Sequence, residues 1–270
     1  PSRNNPLSNP EKGKIRRDWI LGRMENLGMI SDNERYAAQL TPVTAAFFGQ
    51  VVEVDADYVA EMVRREMIKR FGNAAYNDGY VVYTTVDSQQ QQAARNALLA
   101  GLRTYDWRHG WRGPERRLAP RDGETEAETT ARWEKALQEM PTIAELQPVV
   151  VTQVGEDAVT AMGKSGEFIS LYWRGNLEKV RRYRSVNLTA APQKTPADLL
   201  VQGDLIRVLK TADGWRLSQV PQAQSALVSL DPKHGAIRAL VGGMGFTLSK
   251  FNRATQARRQ PGSNFKPFLY

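Results

Sequence analysis

Cysteine is absent from this 270-residue chain, and histidine occurs only twice, at His109 and His234. Without cysteine there can be no disulfide, and a structural zinc site, which takes about four Cys or His ligands, is nearly excluded for want of donors. Two histidines far apart in sequence are a poor basis for a Ser-His-Asp triad, so a nucleophile here would need a different base. No stretch approaches the ~18 consecutive apolar residues of a membrane-spanning helix. The first residues, PSRNNPLSNP, lack the basic and apolar regions of a signal peptide and read as the interior of a longer protein.

Acidic residues are fewer than basic ones, which leaves a net charge of +8. That balance favours a polyanionic neighbour: nucleic acid, an acidic membrane face or an anionic polymer. Arg103, Arg108, Arg112, Arg116, Arg117 and Arg121 form one basic cluster, and Lys179, Arg181, Arg182 and Arg184 a second. A plain solvated surface accounts for both clusters equally well.

What is present is ordinary for a globular protein, 41% hydrophobic and 24% charged, at a length that fits two or three modules. Asn9 and Pro10 are suited to open a helix that carries Ile20, Met24 and Leu27 at helical spacing. Ser31 to Glu34 reads S-x-x-E, the capping box of a second helix running through Tyr36 and Leu40. Two helices do not make a domain, so they are expected to pack on residues outside this chain. Val59, Met62, Val63, Met67 and Phe71 mark the apolar face of a third helix, stopped by Gly72. GYVVYTTVD at 79–87 predicts a strand, and 88–102 predicts a helix starting at Asp87 or Ser88, with its run of glutamines as a polar face. Residues 105–135 read as a mobile connection.

Between about 147 and 220 the texture changes to five short strands, the last two joined by a hairpin turn at Asp213-Gly214. This pattern suits a small barrel of the OB type. Residues 225–243 predict another hairpin, turning at Asp-Pro-Lys-His-Gly, with apolar runs that suit the centre of a larger sheet.

The chain closes on RRQPGSNFKPFLY, in which Ser263 and Lys266 lie three residues apart after a Pro-Gly turn. Residues at i and i+3 share a helix face, which brings hydroxyl and amine within hydrogen-bond reach. A serine needs a base to become a nucleophile, and a lysine serves only where desolvation or positive potential lowers its pKa from about 10.4. A helix N-terminus supplies such potential, and Pro267 places Ser263 in the first turn. Spacing alone leaves a second reading open, a capping Ser beside a solvated Lys.

The wider sequence around the pair, FNRATQARRQPGSNFKPFLY, resembles the nucleophile segment of class A penicillin-binding proteins, the bifunctional synthases of bacterial peptidoglycan. SALVSLDPKHGAIRALVGG resembles the first hairpin of their transpeptidase sheet, and NPLSNPEKGKIRRDWILGRM the last motif of their glycosyltransferase domain. GYVVYTTVDSQQQQAARNALLAGL is similar to their interdomain linker. The middle strands match the OB-like insertion of one Gram-negative branch, and 105–140 matches least.

The resemblance implies an α+β multidomain chain. Its parts are the C-terminal piece of a glycosyltransferase domain (1–45), a linker region (46–140), an OB-like β-barrel domain (141–222), and the incomplete start of a β-lactamase-like serine transpeptidase domain (223–270). It implies that Ser263 attacks the penultimate D-Ala carbonyl of a stem pentapeptide and expels the terminal D-Ala, with Lys266 as base and the Ser263 backbone N–H as one oxyanion donor. Arg16 and Arg17 match the last glycosyltransferase motif, where they either shape that domain or approach lipid pyrophosphate.

Implied partners are stem peptides and lipid II, β-lactams bound covalently at Ser263, and an outer-membrane lipoprotein activator at the OB-like domain. An inner-membrane anchor upstream would hold the protein on the periplasmic side. No cofactor is implied for transpeptidation, and any divalent metal belongs to the glycosyltransferase domain at a site outside this chain. The companion motifs S-x-N and K-T-G are expected after residue 270, so the chain alone is expected to be inactive. The competing reading is a basic OB-fold module in which Tyr172, Trp173 and arginines hold single-stranded nucleic acid.

Overall fold

The structure, a computed structural model, describes residues 4–46 and 52–270, in two units, residues 1–53 and 54–270. In the first, α1 (Pro10–Asn26) begins at Pro10 as predicted, although Asn9 makes no side-chain cap. The second helix, α2 (Asp32–Leu40), opens on the expected box, Ser31 and Glu34 bonding reciprocally. Arg17 fastens the pair, donating to the carbonyls of Thr41 at 2.6 Å and Gln39 at 2.9 Å. Arg16 instead stacks over the Trp19 ring at 4.4 Å. Arg17 thus ties α1 to the end of α2.

The second unit starts with α3 (Asp57–Phe71) and the short α4 (Ala74–Asn77). The strand expected over 79–87 does not form: Thr85 Oγ1 donates to Ile237 O at 2.8 Å and Asp87 N to Arg238 O at 2.9 Å, while Tyr80 stacks on Phe71 at 4.5 Å between centroids. β-branched and aromatic composition stabilises a strand only where a partner pairs with it, and Tyr83 here is 92% exposed. Next comes α5 (Ser88–Arg108), capped by Asp87, whose side chain accepts from Gln90 N. Its glutamines are not all a polar face, since Gln91 is buried.

Residues 105–135 are ordered, contrary to the mobile connection expected. After the end of α5 come β1 (Arg116–Arg117) and α6 (Glu126–Glu139), which opens on a second capping box, Thr125 with Glu128. Glu126 and Glu128 lie in the first turn of α6, where negative charge complements the helix dipole. Trp133 and Leu137, one turn apart on α6, pack on Val150, Met162 and Leu205.

The predicted strands appear as β2 (Gln147–Val154), β3 (Ala158–Met162) and β4 (Phe168–Tyr172). A small hairpin, β5 (Tyr183–Ser185) with β6 (Leu188–Thr189), and α7 (Pro196–Leu199) lead into β7 (Asp204–Thr211) and β8 (Gly214–Ser218). The antiparallel order is β1-β7-β2-β3-β4, with β8 beside β7. The registers Val149 opposite Ile206 and Ala161 opposite Ile169 set one face inward, where Val151, Leu171 and Val208 surround Trp111. The opposite face carries Val150 and Leu205 under α6. A strand covered on both sides reads as an unbroken apolar run, which explains VVV at 149–151. β4 and β8 are neighbours without backbone pairing.

Last come β9 (Leu227–Leu230) and β10 (Ile237–Val241), the expected hairpin, its turn fixed by Asp231, which accepts from the backbone of Lys233 and His234. Leu98, Leu99 and Leu102 of α5 bury against Ala239 and Val241. Most of the first arginine cluster is exposed, as a solvated surface would have it, but three of its members are held in ion pairs. Arg112 pairs with buried Asp106 at 2.8 Å, Arg117 with fully buried Asp204 at 2.7 Å, and Arg103 with Glu145 at 3.0 Å. In the second cluster, Arg182 donates to the carbonyls of Asp198 and Leu199, both at 2.8 Å.

Candidate active site

The segment that carries Ser263 and Lys266 leaves β10 through two buried glycines. A Cβ on Gly243 would lie 2.6 Å from Tyr58 Oη, and one on Gly242 2.5 Å from Asn252 Oδ1. Only glycine admits so close an approach. Tyr58, at the start of α3 and 5% exposed, donates to the Ser249 carbonyl at 2.9 Å and meets Phe246 edge-on at 5.3 Å between centroids. Burial raises its phenol above the usual 10.0, which keeps it the neutral donor this bond requires.

Asn252 organises the next turn. Its backbone N donates to Gln256 Oε1 at 2.7 Å, its Oδ1 accepts from Ala254 N at 3.1 Å, and its Nδ2 reaches Met62 Sδ at 3.5 Å. Arg253 N donates to the Gly242 carbonyl at 2.9 Å. Residues 249–256 are therefore folded onto α3 and the end of β10. A 3-10 helix, Gly262–Phe268, follows.

That helix holds both predicted site residues, but it is not the α-helix expected. Pro267 lies inside it and has no N–H for the carbonyl of Ser263, so the tighter pattern takes over, with Asn264 N donating to Pro261 O and Leu269 N to Lys266 O. At three residues per turn, Ser263 and Lys266 stand one above the other. Both are exposed, and among the described residues no hydrogen bond joins them. Gly262, at φ 54°, takes the left-handed conformation that turns the chain into the helix.

The electrostatics of the segment escaped the sequence reading. Asp231 is the last acidic residue of the chain, whereas Lys250, Arg253, Arg258, Arg259 and Lys266 follow it. The stretch of chain that carries Ser263 is therefore rich in cations and has no acidic side chain of its own, a balance that suits an anionic ligand. Tyr58 and Asn252 were missed as well. The Gly-Gly step after an apolar strand was the available signal for a close backbone approach. Among the described residues no group of three or more His, Asp or Glu side chains is placed to hold a metal ion, and no helix is long and apolar enough to cross a membrane.

A family model described as "Penicillin-binding protein OB-like domain" matches residues 111–223. This span includes Trp111, β1 and α6, all packed into the sheet described above. Penicillin-binding protein 1A of Pseudomonas aeruginosa is 46% identical over the whole chain, which covers 32% of that relative. The same-named protein of Escherichia coli is 40% identical, again over the whole chain and 31% of the relative. A crystal structure of penicillin-binding protein 1A from Haemophilus influenzae matches with a TM-score of 0.73 at 36% identity, covering 98% of this chain and 37% of that one. The chain thus spans about a third of the length of the curated relatives it matches.

Proposed function

The chain belongs to the penicillin-binding protein 1A family, in an alignment that runs its whole length, and on that premise we propose that it is part of a bifunctional peptidoglycan synthase whose transpeptidase nucleophile is Ser263. The observation that carries the reading is this end-to-end likeness, which includes the segment where Ser263 and Lys266 follow a folded glycine-anchored turn. The relatives named above give the nucleic-acid reading no support.

In the proposed reaction Lys266, as the free amine, takes the proton of the Ser263 hydroxyl. The serine oxygen bonds to the penultimate D-Ala carbonyl carbon, and negative charge moves onto the carbonyl oxygen, where the Ser263 backbone N–H donates to it. The C–N bond to the terminal D-Ala then breaks, and that amine leaves with the proton held by Lys266. A free amine from a neighbouring strand attacks the ester, forms the crosslink and returns the proton to Ser263. A β-lactam enters by the same first step and stays as an acyl-enzyme.

The finer assignments rest on the same family reading. They are polymerisation of lipid II by the glycosyltransferase domain, with any divalent metal there, and anchoring at the inner membrane facing the periplasm. Docking of an outer-membrane lipoprotein at the OB-like domain belongs with them, and the exposed Val186 and Leu188 at the β5–β6 hairpin are compatible with it. A fluorescent penicillin tests the central assignment: full-length protein is labelled, Ser263→Ala is not, and Lys266→Ala is labelled far more slowly. Undiminished labelling of Ser263→Ala would overturn it.

A further inference from the structure

Two cavities meet at Gly175 and Asn176, one in the seam between α5 and the OB-like sheet and the other between β4 and β8. One, about 420 Å³, is lined by Trp107, Arg108, Arg103, Lys179 and Arg216. The other, about 440 Å³, is lined by Phe168, Tyr172, Arg174 and Trp215. They share Gly175, Asn176 and Arg216, so they form one groove. Each is within the range of roughly 300–1,000 Å³ that holds small ligands.

The first cavity is short of negative charge. Its one carboxylate, Asp106, is already held by Arg112 at 2.8 and 3.0 Å and by Gln219 at 2.7 Å. Among the described residues Arg108, Arg174 and Lys179 have no carboxylate within ion-pair distance. Arg103 is paired with Glu145 and Arg216 with Asp213, both at 3.0 Å, which leaves Arg108 and Lys179 as the unpaired cations of this cavity. Unpaired cations around a partly enclosed wall attract a carboxylate-bearing ligand.

The second cavity is aromatic. Phe168 and Tyr172 alternate outward along β4, 68% and 65% exposed, while Ile169 and Leu171 between them fill the core. Rings presented this way offer a flat apolar face to the C–H face of a sugar, with the Tyr hydroxyl as a polar tip. Among the described residues β4 pairs only with β3 and β8 only with β7, so the facing strand edges keep backbone donors and acceptors for a ligand. Asn176 Nδ2 takes one of them, the Trp215 carbonyl, at 2.9 Å.

The separation of the two chemistries decides the ligand class. A nucleic-acid strand repeats phosphate and base at every unit and is best matched by interleaved cations and aromatics. Here Phe168, Tyr172 and Trp215 line one end, and Arg103, Arg108 and Lys179 lie at the other beside the single ring of Trp107, which fits a molecule with sugar rings at one end and carboxylates at the other. We propose that this groove binds non-crosslinked glycan-peptide fragments of peptidoglycan, the sugar on Phe168 and Tyr172 and the peptide carboxylates on Arg108 and Lys179. The proposal deepens the function above and rests on it for the polymer named.

The test is calorimetric titration of the chain with a reduced disaccharide-tetrapeptide, with the same fragment amidated at its carboxylates, and with an oligothymidylate. Binding of the acidic fragment is expected, at least tenfold weaker for the amidated fragment, for the double variant Arg108→Glu with Lys179→Glu, and for Tyr172→Ser. No binding, unchanged affinity in these variants, or equal preference for the oligothymidylate would overturn the proposal. Penicillin labelling of full-length protein carrying the double variant separates the two claims. Intact labelling with lost fragment binding supports the groove, whereas retained fragment binding with no labelling of wild-type protein counts against the transpeptidase reading alone.

Discussion

The Gln91 side chain takes both backbone groups of Leu240: its Oε1 accepts from the amide at 2.8 Å and its Nε2 donates to the carbonyl at 3.1 Å. The same Nε2 also donates to the Asp55 carbonyl at 3.0 Å. One amide from α5 therefore closes the open edge of β10, just ahead of the glycines that lead towards Ser263. Gln91→Ala leaves these buried groups without partners, at about 1–3 kcal/mol each where water cannot replace them. Chemical denaturation is expected to show a loss of about 2 kcal/mol or more, and hydrogen exchange a faster Leu240 amide. Unchanged exchange there would contradict the role.

Asp106 joins α5 to the strand that leaves the OB-like sheet. It accepts from Arg112, Gln219 Nε2 and Gln222 N, and Arg112 in turn donates to Val220 O at 2.8 Å. Asp106→Ala strands the guanidinium, and removing one member of a buried pair costs about 3–5 kcal/mol, here towards the low end because Arg112 is partly exposed. The exposed pair Arg216 with Asp213 is the control, and Arg216→Ala is expected to cost under about 1 kcal/mol. Equal losses for the two variants in thermal unfolding would contradict this.

Gly243 stands against Tyr58. Gly243→Ala forces the phenol from the Ser249 carbonyl and is expected to destabilise the chain by about 1–3 kcal/mol, as overpacking does. In full-length protein it is expected to slow acylation of Ser263 without removing the serine. Wild-type acylation together with wild-type stability would show the contact to be dispensable.

Acid should loosen α6 first at its N-terminus. The Arg132 guanidinium holds the Glu124 carboxyl well below its ordinary 4.5, at about 2, and bonds from Thr125 lower Glu128. A folded-state pKa below the unfolded one contributes stability that is fully present above about 4.5 and lost as pH falls towards about 2. Amide exchange across 125–132 is expected to rise through that window, and Glu124→Gln to flatten the rise. An unaltered acid profile in Glu124→Gln would contradict it.

Local signals were legible and long-range ones were not. The box at Ser31, the stop at Gly72 and the hairpins at Asp213-Gly214 and Asp231 are set by neighbouring residues, and each is found where the pattern places it. The box at Thr125 was equally local, but the charged sequence around it obscured it. The strand over 79–87 failed because pairing depends on a partner far along the chain. The ion pairs within the arginine cluster were not legible, because Asp204, the partner of Arg117, is 87 positions away. At the candidate site the Ser263–Lys266 spacing was readable, whereas the Tyr58 to Ser249 contact, which spans 191 positions, was not.

The most direct measurement is mass spectrometry of full-length protein digested with trypsin after exposure to a penicillin. Cleavage after Arg259 releases a peptide beginning at Gln260 that contains Ser263. The account predicts that this peptide alone gains the mass of the opened antibiotic, with fragment ions placing it on Ser263, and that Lys266→Ala greatly reduces its yield. An adduct on any other residue, or full acylation in Lys266→Ala, would contradict it.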